Sequence, residues 1–186
     1  MPDEYLMEDR KNWFKTSHER KVEKFYGHGA ENYTDFHDSY LNFGLWDEGI
    51  ADYIAAAENL VRQLGAFCGL NAQTRLLDVA CGFGTQDIFL TRTFSPASID
   101  GVDVTWPHVV QARTRAREAG FEDRVRFHHG TATKLEFPED SFSHVLSIEG
   151  PVHFDTREKF MREAQRVLKP GGVIAMADYT LKRPPR

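Results

Sequence analysis

From residue 75 onward the chain alternates two patterns, short apolar runs rich in Val, Ile and Leu, and stretches in which apolar positions recur every three or four residues. Such alternation marks successive β-α-β units around a parallel sheet. It predicts strands near 75–80, 98–104, 124–129, 142–149 and 172–179, with helices over 84–94, 107–119 and 156–168. The last helix starts from Asp155, carries Glu158 three positions on in a capping-box pattern, and lines up Phe160, Ala164, Val167 and Leu168 on one face. "KPGG" at 169–172 then ends it and turns into the fifth strand.

Before residue 75, "DEGIADYIAAAENLVRQLGAFC" places Ile50, Ile54, Ala57, Val61, Leu64 and Cys68 at spacings of four and three, the stripe of a helix facing a core. The first 45 residues are less regular. A helix is predicted over 17–26 behind a Thr16/Glu19 capping box, followed by the aromatic and glycine-rich "FYGHGAENYTDFHDSYLNFGLW". The expected organisation is a helical arm or lid over residues 1–46 and one α/β domain over 47–186, with no internal repeat or low-complexity tract.

Composition narrows the partners. With 186 residues, 41% hydrophobic, a net charge of −5 and no long run of like charge, the chain suits one globular domain with a small-molecule ligand rather than a nucleic-acid backbone. Cys68 and Cys81 lack the spacing of a zinc knuckle or a redox pair, so a reduced, cytoplasmic setting is expected, with Cys68 a small buried apolar residue. The acidic start "MPDEYLMEDRKNWF" does not read as a secretion leader, and no apolar run approaches the ~18 residues of a membrane span.

The chemistry centres on "LLDVACGFGTQD" at 76–87. Gly82 and Gly84, between a buried strand and a helix, let backbone approach a ligand, and Asp103 ends the next strand 21 residues beyond Gly82, where an acid bonds ribose hydroxyls. A dinucleotide fingerprint needs a third glycine, but Asp87 completes G-x-G-x-x here, and a carboxylate repels a pyrophosphate. Asp78, four residues before Gly82, likewise favours a ligand carrying positive charge. A sulfonium bearing an ammonium group, as in S-adenosylmethionine, meets that requirement.

Four ordered motifs, "LLDVACGFGTQD", "GVDVTWPHVVQAR", "GTATKLEFPEDSFSHVLSIEG" and "RVLKPGGVIAMADY", resemble those of class I S-adenosylmethionine-dependent methyltransferases over roughly residues 40–180. "LNFGLW" and "SIEGPVHF" are similar to the small-molecule branch that includes tocopherol, quinone and natural-product enzymes. The resemblance implies a Rossmann-like, doubly wound, mainly parallel sheet of about five strands and S-adenosylmethionine as cofactor. By it, Asp78, Gly82 and Gly84 lie along the methionine moiety, Asp103 takes the ribose hydroxyls and Val104 packs on adenine. Thr85 and Gln86 either touch the ligand or cap the helix. Where the family commonly has an acid at the adenine amino group, this chain has Thr131; its hydroxyl and the N–H of Ala132 are expected to meet the adenine edge, and Thr131→Asp to leave binding intact. Glu149 and Gly150 end the fourth strand at the ligand edge, and His153 either removes a proton from the acceptor or bonds a nearby carbonyl.

Transfer of a sulfonium methyl needs alignment and desolvation rather than a metal, and the adjacent His128 and His129 face opposite sides of a strand. The fourth strand lacks the Asn/Asp-Pro-Pro-aromatic motif of base-modifying enzymes, so no nucleic acid is expected as substrate. Tyr26, Tyr33, Phe43 and Trp46 belong to the arm, over the ligands or simply packing it. Members of the class continue with an antiparallel strand pair, whereas this chain ends at "TLKRPPR", leaving the fifth strand an open edge. Either the chain is a fragment, or its tail, a second copy or another protein covers that edge. The alternatives are a catalytically incomplete cofactor-binding or partner module and, disfavoured by Asp87, a nicotinamide-dependent oxidoreductase.

Overall fold

The computed structural model describes residues 15–27 and 39–179; Tyr33 and the end of the tail lie outside them. Five strands form one parallel sheet in the order β3-β2-β1-β4-β5. They are β1 (Arg75–Val79), β2 (Ser98–Asp103), β3 (Val125–His129), β4 (Phe142–Ile148) and β5 (Leu168–Ala177). The helices are α1 (Ser17–Gly27), α2 (Tyr53–Phe67), α3 (Thr85–Phe94), α4 (Trp106–Glu118) and α5 (Arg157–Val167). The expected α/β class and strand set are therefore present.

Period-two alternation divides the central strand between two cores. Leu76 packs with Val61, Leu90, Ile99, Val109 and Phe127, whereas Leu77 and Val79 pack with Val145, Phe160, Ala164 and Val167. The first core lies under α2, α3 and α4, the second under α5. Because β1 sits in the middle with partners on both sides, its C-terminal end faces the place where the strand order reverses, the ligand crevice of open α/β sheets.

Three local expectations are corrected. Ile54 is 38% exposed, because α2 begins at Tyr53 behind Asp52, whose carboxylate accepts from the Ala55 N–H at 2.9 Å; Ala57, Val61 and Cys68 keep the core side. The cap of α5 is Thr156, which accepts from the Lys159 N–H at 3.4 Å, so Asp155 is one residue too early. "KPGG" does not separate helix from strand: β5 starts at Leu168, pairs it with Phe142, and resumes register at Val173 opposite His144. Lys169–Gly172 is thus a bulge, with Gly171 at φ +79° supplying the bend.

Candidate functional site

At Val79 the chain leaves β1 through a turn in which Ala80, Gly82 and Gly84 all have positive φ. Val102 O accepts from the N–H groups of Ala80 (2.8 Å) and Cys81 (3.1 Å), fastening the turn to β2. Asp103 fastens it again: its two carboxylate oxygens accept separately from Gly82 N–H (2.9 Å) and Thr105 N–H (2.8 Å). Each oxygen keeps a lone pair for a further donor. Burial raises the Asp103 pKa, but His108, with Nδ1 at 3.6 Å, and the two N–H donors outweigh it and hold the group ionised below its ordinary value.

The two glycines do different work. Gly82 lines the cavity, and a Cβ there would come within 3.0 Å of Leu41 Cδ1. A Cβ on Gly84 would lie 2.5 Å from the Phe127 ring and 2.9 Å from Ala112 Cβ, so this position is reserved for helix–sheet packing and does not line the cavity. Neither Thr85 nor Gln86 caps α3, whose cap residue Gly84 makes no side-chain bond. Thr85 Oγ1 donates to Ser39 O at 3.3 Å, and Gln86 Nε2 donates to Asp78 Oδ2.

Asp78 is 0% exposed and stands behind Gln86 rather than in the cavity wall. Burial raises its pKa to about 6, while the neighbouring Asp87, also buried, is raised further by burial and by facing Asp78. Both carboxyls are thus pushed toward the protonated form, and Asp78 Oδ1 and both oxygens of Asp87 have no hydrogen-bond partner.

Residues after β2, β3 and β4 form the rest of the wall, and α1 lies across them. Its predicted capping box is present, with Thr16 N–H donating to Glu19 Oε2 (2.7 Å) and Glu19 N–H donating to Thr16 Oγ1 (3.2 Å). Glu19 Oε1 simultaneously accepts from the hydroxyls of Thr131 and Thr133. This 5% exposed carboxylate therefore sits beside Thr131 and Ala132 in the cavity wall. Val104, also in the wall, has its carbonyl within 3.2 Å of Lys15 Nζ and 3.0 Å of His129 Nε2.

At the other end, Pro151–His153 forms a short 3-10 turn and Tyr26 OH lies 2.7 Å from His153 Nε2. Burial, then the adjacent His18, lowers the His153 pKa, so a neutral imidazole is favoured. Glu149 Oε2 accepts from Phe43 N–H at 2.9 Å, and burial raises the Glu149 pKa. Glu19, Val22 and Tyr26 recur at helical spacing and reach the cavity together.

Two wall residues escaped the sequence reading. Asn42 is 3% exposed and His108 is 2% exposed; Asn42 Nδ2 and His108 Nε2 lack a hydrogen-bond partner, while His108 Nδ1 faces Asp103 Oδ1 at 3.6 Å. A buried unpaired polar group costs about 1–3 kcal/mol, so orphans on a cavity wall point to a ligand. Only the polar residue types within "LNFGLW" and the apolar face of α4 signalled them in the sequence. Among the described residues, no group of three or more His, Cys, Asp or Glu is arranged to hold a metal ion.

A family model described as "Methyltransferase domain" matches residues 76–172. The chain is 39% identical over 153 residues to the erythromycin 3''-O-methyltransferase of Saccharopolyspora erythraea, covering 80% of this chain but 50% of that protein. Among solved structures, the [4+2]-cyclase SpnF superposes with a TM-score of 0.81 at 27% identity, covering 86% of this chain and 60% of that one. The geranyl diphosphate C-methyltransferase of Streptomyces coelicolor A3(2), solved with S-adenosyl-L-homocysteine, shares the fold with a TM-score of 0.76 at 18% identity, over 89% of this chain and 66% of that one. The chain thus spans about half the length of the curated relative.

Proposed function

The chain belongs to the methyltransferase domain family, and on that premise we propose that it binds S-adenosylmethionine and transfers its methyl group to a small-molecule acceptor. The observation that carries this reading is Asp103, ionised, clamped between Gly82 and Thr105, and still able to accept from two hydroxyls at the cavity wall. The donor set fits the cofactor. Asp103 takes the ribose diol, Val104 and Ala132 flank the adenine with Thr131 and Glu19 at its edge, and Gln86, oriented by Asp78, and Glu149 accept from the ammonium.

When bound, S-adenosylmethionine supplies a methyl group already activated on sulfur. The residues of the chain then position and desolvate the acceptor. His153 Nε2 accepts the proton of an acceptor hydroxyl, which takes the place that Tyr26 OH occupies. Oxygen is the first acceptor atom to test, since the relative at 39% identity is named for O-methylation; nitrogen and carbon nucleophiles follow.

Residues 1–46 serve as the lid, supported by the contacts of α1 and Ser39–Asn42 with the cavity. The net charge of −5 argues against nucleic acid, and the two buried, unpaired cysteines suit the cytoplasm. No helix among the described residues is long and apolar enough to cross a membrane. Among the described residues β5 pairs only with β4, and its outer edge is the surface for self-association or for a further strand.

The test is thermal stabilisation by S-adenosylhomocysteine, followed by transfer from methyl-labelled S-adenosylmethionine to a panel of phenols, quinols, sugar hydroxyls and amines. Stabilisation with labelled product supports the proposal. Binding without transfer to any of them favours a cofactor-binding module instead.

A further inference from the structure

Charge along the cavity wall is one-sided. Glu19, Asp103, Glu149 and Asp155 line it, and no lysine or arginine among the described residues does. Three of the four carboxylates are occupied: Glu19 accepts from Thr131 and Thr133, Asp103 from Gly82 and Thr105, and Glu149 from Phe43. Asp155 is half-buried and has no hydrogen-bond or ion-pair partner among the described residues. The nearest basic side chain along the chain, Arg157, is committed to Asp178, with Nε at 2.9 Å and Nη2 at 2.7 Å from Oδ2.

Asp155 stands at the end of the cavity where His153 lies. Phe154 between them is extended (φ −80°, ψ 144°), so the two flanking side chains project to the same side of the segment, roughly 7 Å apart. Phe154 itself packs on Phe160, with ring centroids 4.8 Å apart, and anchors the segment to α5. The potential here is negative. Burial and then His18 lower the His153 pKa while Asp103 and Asp178 pull it up, and burial raises Glu149 with Asp178 raising it further. His108 Nε2, buried on the same wall and without a partner, independently marks the cavity as one that a ligand completes.

A carboxylate left without a donor beside a proton-accepting imidazole suits a cation, and the cofactor's own ammonium is already met by Gln86 and Glu149. Resting on the cofactor reading above, we propose that the acceptor is a hydroxyl compound that also carries an ammonium group, with its hydroxyl at His153 and its ammonium at Asp155. The pairing has a chemical consequence. Asp155 keeps the nitrogen protonated, and an ammonium has no lone pair to take a methyl group, so the hydroxyl is the nucleophile. The same wall repels acceptors that bear a carboxylate or a phosphate.

The test is calorimetric titration of the protein loaded with S-adenosylhomocysteine, using phenols matched in shape and differing in charge: tyramine, 4-(2-hydroxyethyl)phenol and 4-hydroxyphenylacetate. At pH 7 the ammonium of tyramine is expected to make it bind roughly tenfold tighter than the neutral phenol, with the carboxylate weakest. Asp155→Asn keeps the shape and removes the charge. It should cost tyramine roughly tenfold and leave both the neutral phenol and S-adenosylhomocysteine within about twofold. A carboxylate phenol that binds as well as tyramine, no binding of tyramine at all, or equal losses for tyramine and the neutral phenol in Asp155→Asn would each overturn the assignment. The loading step reads the cofactor separately: if S-adenosylhomocysteine does not bind wild type, the cofactor reading fails first and takes this proposal with it.

Discussion

Glu19 and Thr131, 112 residues apart in sequence, are joined by a hydrogen bond from the threonine hydroxyl to the glutamate carboxylate, inside the wall of the ligand cavity. One glutamate thus caps α1 and pins that helix to the loop after β3. An acid does stand at the position where the sequence offers only a hydroxyl, and the arm supplies it.

This reverses the expectation for Thr131→Asp. A second carboxylate beside buried Glu19 repels it and detaches α1, so S-adenosylhomocysteine affinity should fall by roughly tenfold or more. Adding Glu19→Gln, whose amide can donate to the new acid, should restore most of the loss. A double variant as weak as the single one would separate α1 from ligand binding.

His153 should shape the acid side of the pH profile. Burial and His18 hold its pKa below the ordinary value, so the acid limb of kcat/KM is expected below about pH 6.5, with a neutral, proton-accepting imidazole at pH 7. His153→Ala should lower kcat and remove that limb with little change in S-adenosylhomocysteine affinity. An unchanged profile in the variant would take His153 out of proton transfer.

The Asp78–Asp87 pair should make the ligand-free protein less stable as pH rises. Both folded-state pKa values lie above the unfolded value of about 4, so the folded state holds protons more tightly. The resulting stability is present at low pH and is lost as pH rises through about 6 for Asp78, with the raised Asp87 acting in the same direction. Asp87→Asn keeps the shape and removes one charge. Urea denaturation should show a gain on the order of 1 kcal/mol or more at pH 8 and little at pH 5; an equal gain at both would point to packing instead.

Gly84→Ala should destabilise by roughly 2–4 kcal/mol, since the new methyl meets strain at φ +71° and overpacks against Phe127 and Ala112. Combining it with Phe127→Leu should recover part of the melting temperature. If Gly84 mattered only for ligand approach, the single variant would keep its stability and lose affinity alone.

The β-α-β succession, the glycine turn and the acid at the end of β2 were legible because each is encoded within a few residues: apolar periodicity, turn composition, and an acid at fixed distance along the chain. The Thr16/Glu19 box was legible for the same reason, and the structure reproduces it. The bulge at Lys169–Gly172 was not, because glycine and proline mark an interruption without saying whether a strand resumes its old pairing beyond it.

The order of elements and the chemical types gathered where β1, β2 and β4 end follow from local patterns along the chain. Which of those side chains line the cavity was set by packing between distant segments. Asp78 withdrew behind Gln86, Gly84 went to Phe127, and Glu19, Asn42 and His108 arrived at the cavity. The reason is physical: burial and the contacts between distant segments are set when the arm folds over the sheet, and they decide which polar groups are satisfied by the protein and which are left for a ligand.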